Sequence, residues 1–126
     1  TLISQVDEGI TVSGDEEALR RVLEILLDNA QKYSSPGGET QVTLHRRGRN
    51  HCALTVANQG EPIPPEARRQ IFQRFYRADP ARSRNGSFGL GLSIAEGIVA
   101  QHHGTIDVTC AGGFNRFRAE LPCRQE

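Results

Sequence analysis

Two stretches of the chain carry side chains and backbone suited to chemistry on an anion. In the run Asn85-Gly86-Ser87-Phe88-Gly89-Leu90-Gly91-Leu92-Ser93-Ile94-Ala95, three glycines fall within six positions and lead into apolar residues at helical spacing (Leu92, Ile94, Ala95, Ile98, Val99). A helix start exposes unpaired N–H groups and the positive end of the dipole. Glycines just before it let backbone approach a phosphate without a Cβ in the way. The second stretch holds Asn29, Lys32 and Tyr33 at i, i+3 and i+4, on one face of a predicted helix. A neutral carbonyl oxygen, an ammonium and an aromatic ring on adjacent turns suit a metal ion, a phosphate and a flat base. The alternative is an amphipathic helix with a polar shoulder. Asn58, at the end of an alternating segment, adds an amide edge.

The glycine run is neither of two familiar phosphate loops. Ile94 stands where the dinucleotide fingerprint needs its third glycine, and the Lys-Ser/Thr ending of the triphosphatase loop is absent. Arginine distribution supports an anionic ligand. The chain has a single lysine, Lys32, and six arginines between Arg68 and Arg84. Arg68 and Arg69 read as a solvated helix face. Arg77, Arg82 and Arg84 precede the glycines in a loop, where a guanidinium fork serves either a phosphate or solvent.

The elements that must position these groups follow from periodicity. Leu2 to Val12 reads as two short strands around Glu8-Gly9. Asp15 is a predicted N-cap. Leu19, Val22, Leu23, Leu26, Leu27 and Ala30 then give a helix from about Glu16 to Tyr33 or Ser34, stopped by Pro36-Gly37-Gly38. Gln41–Arg47 and His51–Asn58 alternate in period two around Arg47-Gly48-Arg49-Asn50, a predicted β-hairpin. The loop from Asn58 to Pro65 is stiffened by proline, and Pro65 opens a helix predicted to reach about Phe75. Tyr76 to Phe88 reads as irregular, mobile loop. The glycine-initiated helix runs to about Gln101, with Gly104 as its predicted C-cap residue. Thr105–Cys110 and Phe117–Leu121 are predicted strands around Gly112-Gly113, with Pro122 as the stop.

Composition bounds the rest. At 126 residues with 37% hydrophobic and 24% charged residues, residues 1–126 read as one domain, burying roughly two-thirds of its unfolded surface. No apolar run approaches a membrane span, and no signal peptide is apparent. Three cysteines (Cys52, Cys110, Cys123) with no C-x-x-C pair argue against a disulfide framework and for a reducing, cytosolic setting. A formal net charge of zero, with no aromatics among the arginines, argues against nucleic-acid binding.

Taken in order, these segments resemble a known family. Leu26-Leu27-Asp28-Asn29-Ala30-Gln31-Lys32-Tyr33-Ser34 resembles the N box of the sensor histidine kinases, and Ile71-Phe72-Gln73-Arg74-Phe75-Tyr76-Arg77 their F box. Gly86 through Leu92 is similar to their second glycine box, and His103-Gly104-Thr105-Ile106 to the turn after it. The likeness runs from about Val12 to Pro122, and the Asn-x-Gly-x-Pro variant with Tyr-Arg-Ala-Asp-Pro is similar to some heavy-metal-type sensor kinases.

The resemblance implies an α+β two-layer sandwich of the Bergerat type, with a mixed sheet of about five strands and three helices on one face. It implies ATP with Mg²⁺ as ligands. Asn29 would hold the metal, Lys32 would contact phosphate, Tyr33 would lie by the nucleotide, and Asn58 would face the adenine amino group. Gly60 would belong to the first glycine box, Ile63 would line the base pocket, and Gly86, Gly89, Leu90, Gly91 and Leu92 would form the phosphate loop. It also implies a phosphoacceptor histidine on a separate dimerisation hairpin, a downstream response regulator, and a cytoplasmic position in a parent protein anchored in the bacterial inner membrane. The isolated domain is expected to be monomeric. None of His45, His51, His102 and His103 stands in a phosphoacceptor pattern, and His102 and His103 read as capping or surface residues.

Two departures qualify the likeness. The family's first glycine box is Asp-x-Gly-x-Gly; here it is Asn58-Gln59-Gly60-Glu61-Pro62, with an uncharged acceptor and a fixed φ at Pro62. Ile25 stands where hydrolytic relatives carry a glutamate, which sets histidine phosphorylation ahead of ATP hydrolysis. A degenerate nucleotide sensor without transfer is the other alternative.

Overall fold

The structure is a computed structural model that describes residues 2–6, 10–12, 14–73 and 91–125. The 18-residue helix α1 (Glu16–Tyr33) has the N-cap the sequence predicts: Asp15 Oδ1 accepts from the amides of Glu17 at 3.0 Å and Ala18 at 3.2 Å. Glu16 and Glu17 in its first turn and Lys32 in its last complement the helix dipole. Val22, Ile25, Leu26, Asn29 and Ala30 are buried.

Strands β1 (Leu2–Val6), β3 (Thr40–Arg47), β4 (His51–Gln59), β5 (Thr105–Ala111) and β6 (Phe114–Pro122) form one mixed sheet in the order β1-β3-β4-β6-β5. β1 runs parallel to β3; every other neighbouring pair in the sheet is antiparallel. The two N-terminal strands do not pair with each other. β2 (Ile10–Thr11) instead pairs with β7 (Arg124–Gln125), a strand beyond the predicted stop at Pro122.

Helices α2 (Pro65–Gln70) and α3 (Gly91–Gln101) complete the described elements. α2 is shorter than predicted: Gln73 N–H bonds back to the Gln70 carbonyl at 2.9 Å, a turn rather than another helical repeat, with Ile71 still buried. One apolar core joins all three helices to the sheet, through Val22 and Leu26 of α1, Ala67 and Ile71, Ala95 and Val99 of α3, and Val56, Phe117 and Ala119 of the strands. The residue that leaves α3 in the left-handed region is His103 (φ 63°), not Gly104. Gly104 is required for a close approach, since a Cβ there would run into the Glu120 carbonyl oxygen. Among the described residues no helix is long and apolar enough to cross a membrane.

His102 ties the two long helices together. Its Nδ1–H donates to the Ile98 carbonyl at 2.8 Å, and its Nε2 accepts from the Asp15 amide at 3.1 Å. One neutral ring thus closes the end of α3 onto the start of α1, the capping role read from the sequence. A side chain on Gly14 would collide with that ring.

Candidate functional site

The antiparallel register sorts the helix-facing side of the sheet into rungs. Val42, Val56, Phe117 and Val108 are opposite one another on β3, β4, β6 and β5. The next rung, toward the end of β4, is Thr40, Asn58, Asn115 and Cys110. The core therefore changes from apolar to polar within one pleat, and the candidate site lies at that boundary.

Helix α1 runs along the site. Near its middle, the Cβ position of Gly91, the first residue of α3, lies 3.5 Å from Ile25 Cγ2. One turn on, Asn29 is buried (7% exposed) and its Nδ2 donates to the Ile25 carbonyl at 2.9 Å. With the donor end so occupied, the oxygen end is the one that can serve a cation. At the end of α1, the half-buried Tyr33 stacks on Phe117 with ring centroids 6.5 Å apart, and a Cβ on Gly60 would run into the Tyr33 carbonyl oxygen. From Ile25 to Tyr33 the helix advances about 12 Å. Lys32, half-buried on the last turn, is engaged in the structure.

The loop after β4 is held from three sides. The Gln59 carbonyl accepts from Ser35 N–H at 3.0 Å, and Gly60 N–H donates to the Gly113 carbonyl at 3.1 Å. Beyond that, the Asn115 side chain takes over: Nδ2 donates to the Glu61 carbonyl at 2.9 Å, and Oδ1 accepts from Ile63 N–H at 3.0 Å and from Cys110 Sγ at 2.9 Å. Ile63 is buried. An open cleft of about 270 Å³, lined among others by Pro62, Ile63, Arg68 and Phe114, lies between this loop and the β5–β6 turn; neither Asn29 nor Asn58 lines it.

Asn58 is the anomaly. It is fully buried, yet among the described residues neither its Oδ1 nor its Nδ2 has a hydrogen-bond partner. Orphaned buried amides are rare, because each unmade bond costs roughly 1–3 kcal/mol. Gly60 presses close beside it: a Cβ there would sit 3.3 Å from Asn58 Nδ2. An amide with both ends open, next to a glycine that keeps the wall thin, fits a flat hydrogen-bonding ring. Asn29 fits a hard cation that keeps most of its waters. Among the described residues no cluster of His, Cys, Asp and Glu offers a metal a dedicated cage.

The structure places Asn29, Lys32 and Tyr33 on the last turns of α1, Asn58 at the end of β4, Gly60 and Ile63 in the loop after it, and Gly91 and Leu92 at the start of α3, with Gly60 against Tyr33 and Asn58 and Gly91 near Ile25. Arg77, Arg82, Arg84, Gly86, Gly89 and Leu90 lie outside the described residues, as does the loop expected from Tyr76 to Phe88. Sequence reasoning missed Asn115. Its signal was alternation: in β6 it shares a face with Phe117, Ala119 and Leu121, an amide in an otherwise apolar row.

Residues 14–125 match the family described as Histidine kinase-, DNA gyrase B-, and HSP90-like ATPase. The chain is 49% identical over 107 residues to the signal transduction histidine-protein kinase/phosphatase MprB of Mycolicibacterium smegmatis, covering 83% of this chain and 22% of that protein. It is 43% identical over 118 residues to the sensor histidine kinase CusS of Escherichia coli, covering 93% of this chain and 24% of that protein. The chain therefore spans about a quarter or less of these relatives. A solved structure of a mycobacterial sensor histidine kinase MprB superposes with a TM-score of 0.85 at 35% identity, over 99% of this chain and 86% of that one.

Proposed function

The chain belongs to the histidine kinase-, DNA gyrase B- and HSP90-like ATPase family, and from that premise we propose that it binds Mg²⁺-ATP and presents the γ-phosphoryl group to a histidine on a separate helical hairpin. The observation that carries the reading is the Asn58 amide, buried with both ends unbonded at the base end of the site. In this reading Asn58 meets the adenine edge, beside Gly60 and Ile63. Tyr33 flanks the nucleotide, Asn29 offers its oxygen to Mg²⁺, and Lys32 draws in phosphate. Gly91 and Leu92, at the start of α3, close the phosphate end; the resemblance assigns Gly86, Gly89, Leu90, Arg77, Arg82 and Arg84 to the ATP site as well. Mg²⁺ supplies charge neutralisation at the phosphates; the chain supplies position and electrostatics, which are most of phosphoryl-transfer catalysis.

The burial of Ile25 favours transfer over hydrolysis. Its side chain is apolar, packed in the core and in contact range of Gly91, so no carboxylate is available one turn before Asn29 to activate water. Glu24 points about 100° away around α1. The acceptor hairpin, the downstream response regulator and the cytoplasmic position of this domain in a membrane-anchored parent complete the proposal.

The test is calorimetric titration with ATP and GTP, with and without Mg²⁺, followed by addition of an acceptor hairpin. ATP should bind, GTP should compete poorly, and label should reach the hairpin while the domain alone turns ATP over very slowly. Steady hydrolysis on the order of 1 per second, in the ordinary enzyme range, would favour an ATPase instead. ATP binding with no transfer to any cognate hairpin would leave a nucleotide sensor.

A further inference from the structure

Asn115 sits directly opposite Asn58 in the β4–β6 register and is equally buried, but its side chain is nearly saturated. Oδ1 already accepts from Ile63 N–H and Cys110 Sγ, and Nδ2 donates to the Glu61 carbonyl. An amide oxygen has two lone pairs, so Asn115 has no acceptor left for a ligand. Whatever it contributes to the site must pass through the loop it holds.

The part of the loop that Asn115 holds is Glu61, Pro62 and Ile63; Pro62 has a fixed φ and no N–H to offer. One side chain therefore captures the carbonyl before the proline and the N–H after it. Gly60, just ahead, is bonded to Gly113 of the β5–β6 turn. The segment beside the Asn58 amide is thus fastened to β6 and its turn at Gly60, Glu61 and Ile63 in succession.

We propose that Asn115 is a positioning residue for the base end of the nucleotide site: its side chain fixes Glu61-Pro62-Ile63 beside Asn58, and so sets the discrimination between bases. This rests on the nucleotide reading given above. Asn115 touches no ligand in this arrangement. It holds the segment in place before any ligand arrives, so that binding does not have to order the loop.

Three measurements test it on the folded domain. In the wild type without nucleotide, the Ile63 amide should be strongly protected from hydrogen exchange, because its acceptor is a buried side chain. Asn115→Ala should speed that exchange by more than the common increase of the Val56 and Val99 amides of the core, which reports the loss of global stability. The same variant should weaken ATP about tenfold, the worth of one to two hydrogen bonds, and shrink the ATP-over-GTP preference. The ATP-over-ADP preference should stay as it was, because the phosphate end is untouched. Asn115→Asp keeps an acceptor for Ile63 N–H but loses the donor to Glu61, and should restore part of the base preference.

A fast-exchanging Ile63 amide in the wild type would overturn the proposal without any variant, which covers the case of Asn115→Ala failing to fold. So would an Asn115→Ala domain whose base preference matches the wild type. If the wild type binds ATP with an Asn58-dependent preference and Asn115 leaves that preference alone, only this inference fails. If the wild type binds no nucleotide, the functional reading fails and takes this one with it.

Discussion

Asn58 and Asn115 are the same side chain, on adjacent strands, in register, both with no exposed surface. One makes every acceptor bond open to it and the other, among the described residues, makes none. Burial and residue type are identical, so only the bonding distinguishes the structural amide from the one held for something else. Asn29, the third buried polar side chain among the described residues, falls between them with its donor end occupied by Ile25. A buried amide in this domain is read by which of its ends are already taken.

The largest effect expected is on stability, at Asn115. Asn115→Ala strands the buried Ile63 N–H and frees the Glu61 carbonyl of an exposed residue, and urea unfolding should show a loss of about 2 kcal/mol, mostly the cost of the stranded N–H. A loss below about 1 kcal/mol would erase the contrast with Asn58. Asn58→Leu should do the reverse. Removing an unsatisfied buried amide should stabilise the ligand-free domain by about 1 kcal/mol while abolishing the preference for ATP over GTP. If Asn58→Leu destabilises the domain as much as Asn115→Ala does, Asn58 is structural as well.

Cys52 provides a control at the far end of β4. Burial, aided by the neighbouring Cys123 thiol and by Glu120, pushes its thiol up to about 12 from an ordinary value of 9.0. The unfolded chain therefore gives up this proton first. The contribution is intact below about pH 9 and is lost as pH rises toward 12, at roughly 1 kcal/mol per pH unit. Alkaline unfolding with and without Cys52→Ala checks the sign: the variant should lose that slope, and nucleotide affinity should not follow it. The smallest stability effect belongs to Asn29→Ala. It removes one side-chain bond within α1 at a cost near 0.5–1 kcal/mol, yet it should remove most of the Mg²⁺ enhancement of ATP binding. An undiminished enhancement in calorimetry would move the metal elsewhere.

Much of this was legible in advance. The 3.6-residue spacing and Asp15 gave both ends of α1, and alternation gave β3 and β4 to within a residue or so of their ends. The spacing of Asn29, Lys32 and Tyr33 placed them on one face before any fold was known. What escaped was pairing and partnership. Period-two alternation marks a strand but not its neighbour, so β1 alongside β3 and β2 alongside β7 could not be read locally. A two-residue strand such as β7 is too short to have a period at all. The strand predicted from Phe117 begins three residues earlier, at Phe114, and that gap hid Asn115 from the strand pattern it completes. The orphaned state of Asn58 depends on what surrounds it in three dimensions, and no window of sequence carries that.

The ring of His102 has a mechanical consequence. Because Gly91 meets Ile25 while His102 meets Asp15, α3 lies antiparallel to α1 and is pinned at the end away from the site. With its 11 residues, α3 is a lever about 16 Å long. A tilt of about 5° at the pin swings Gly91 through roughly 1.4 Å, half a hydrogen-bond length. A change too slight to disturb the packing at one end is enough to make or break an amide contact at the other.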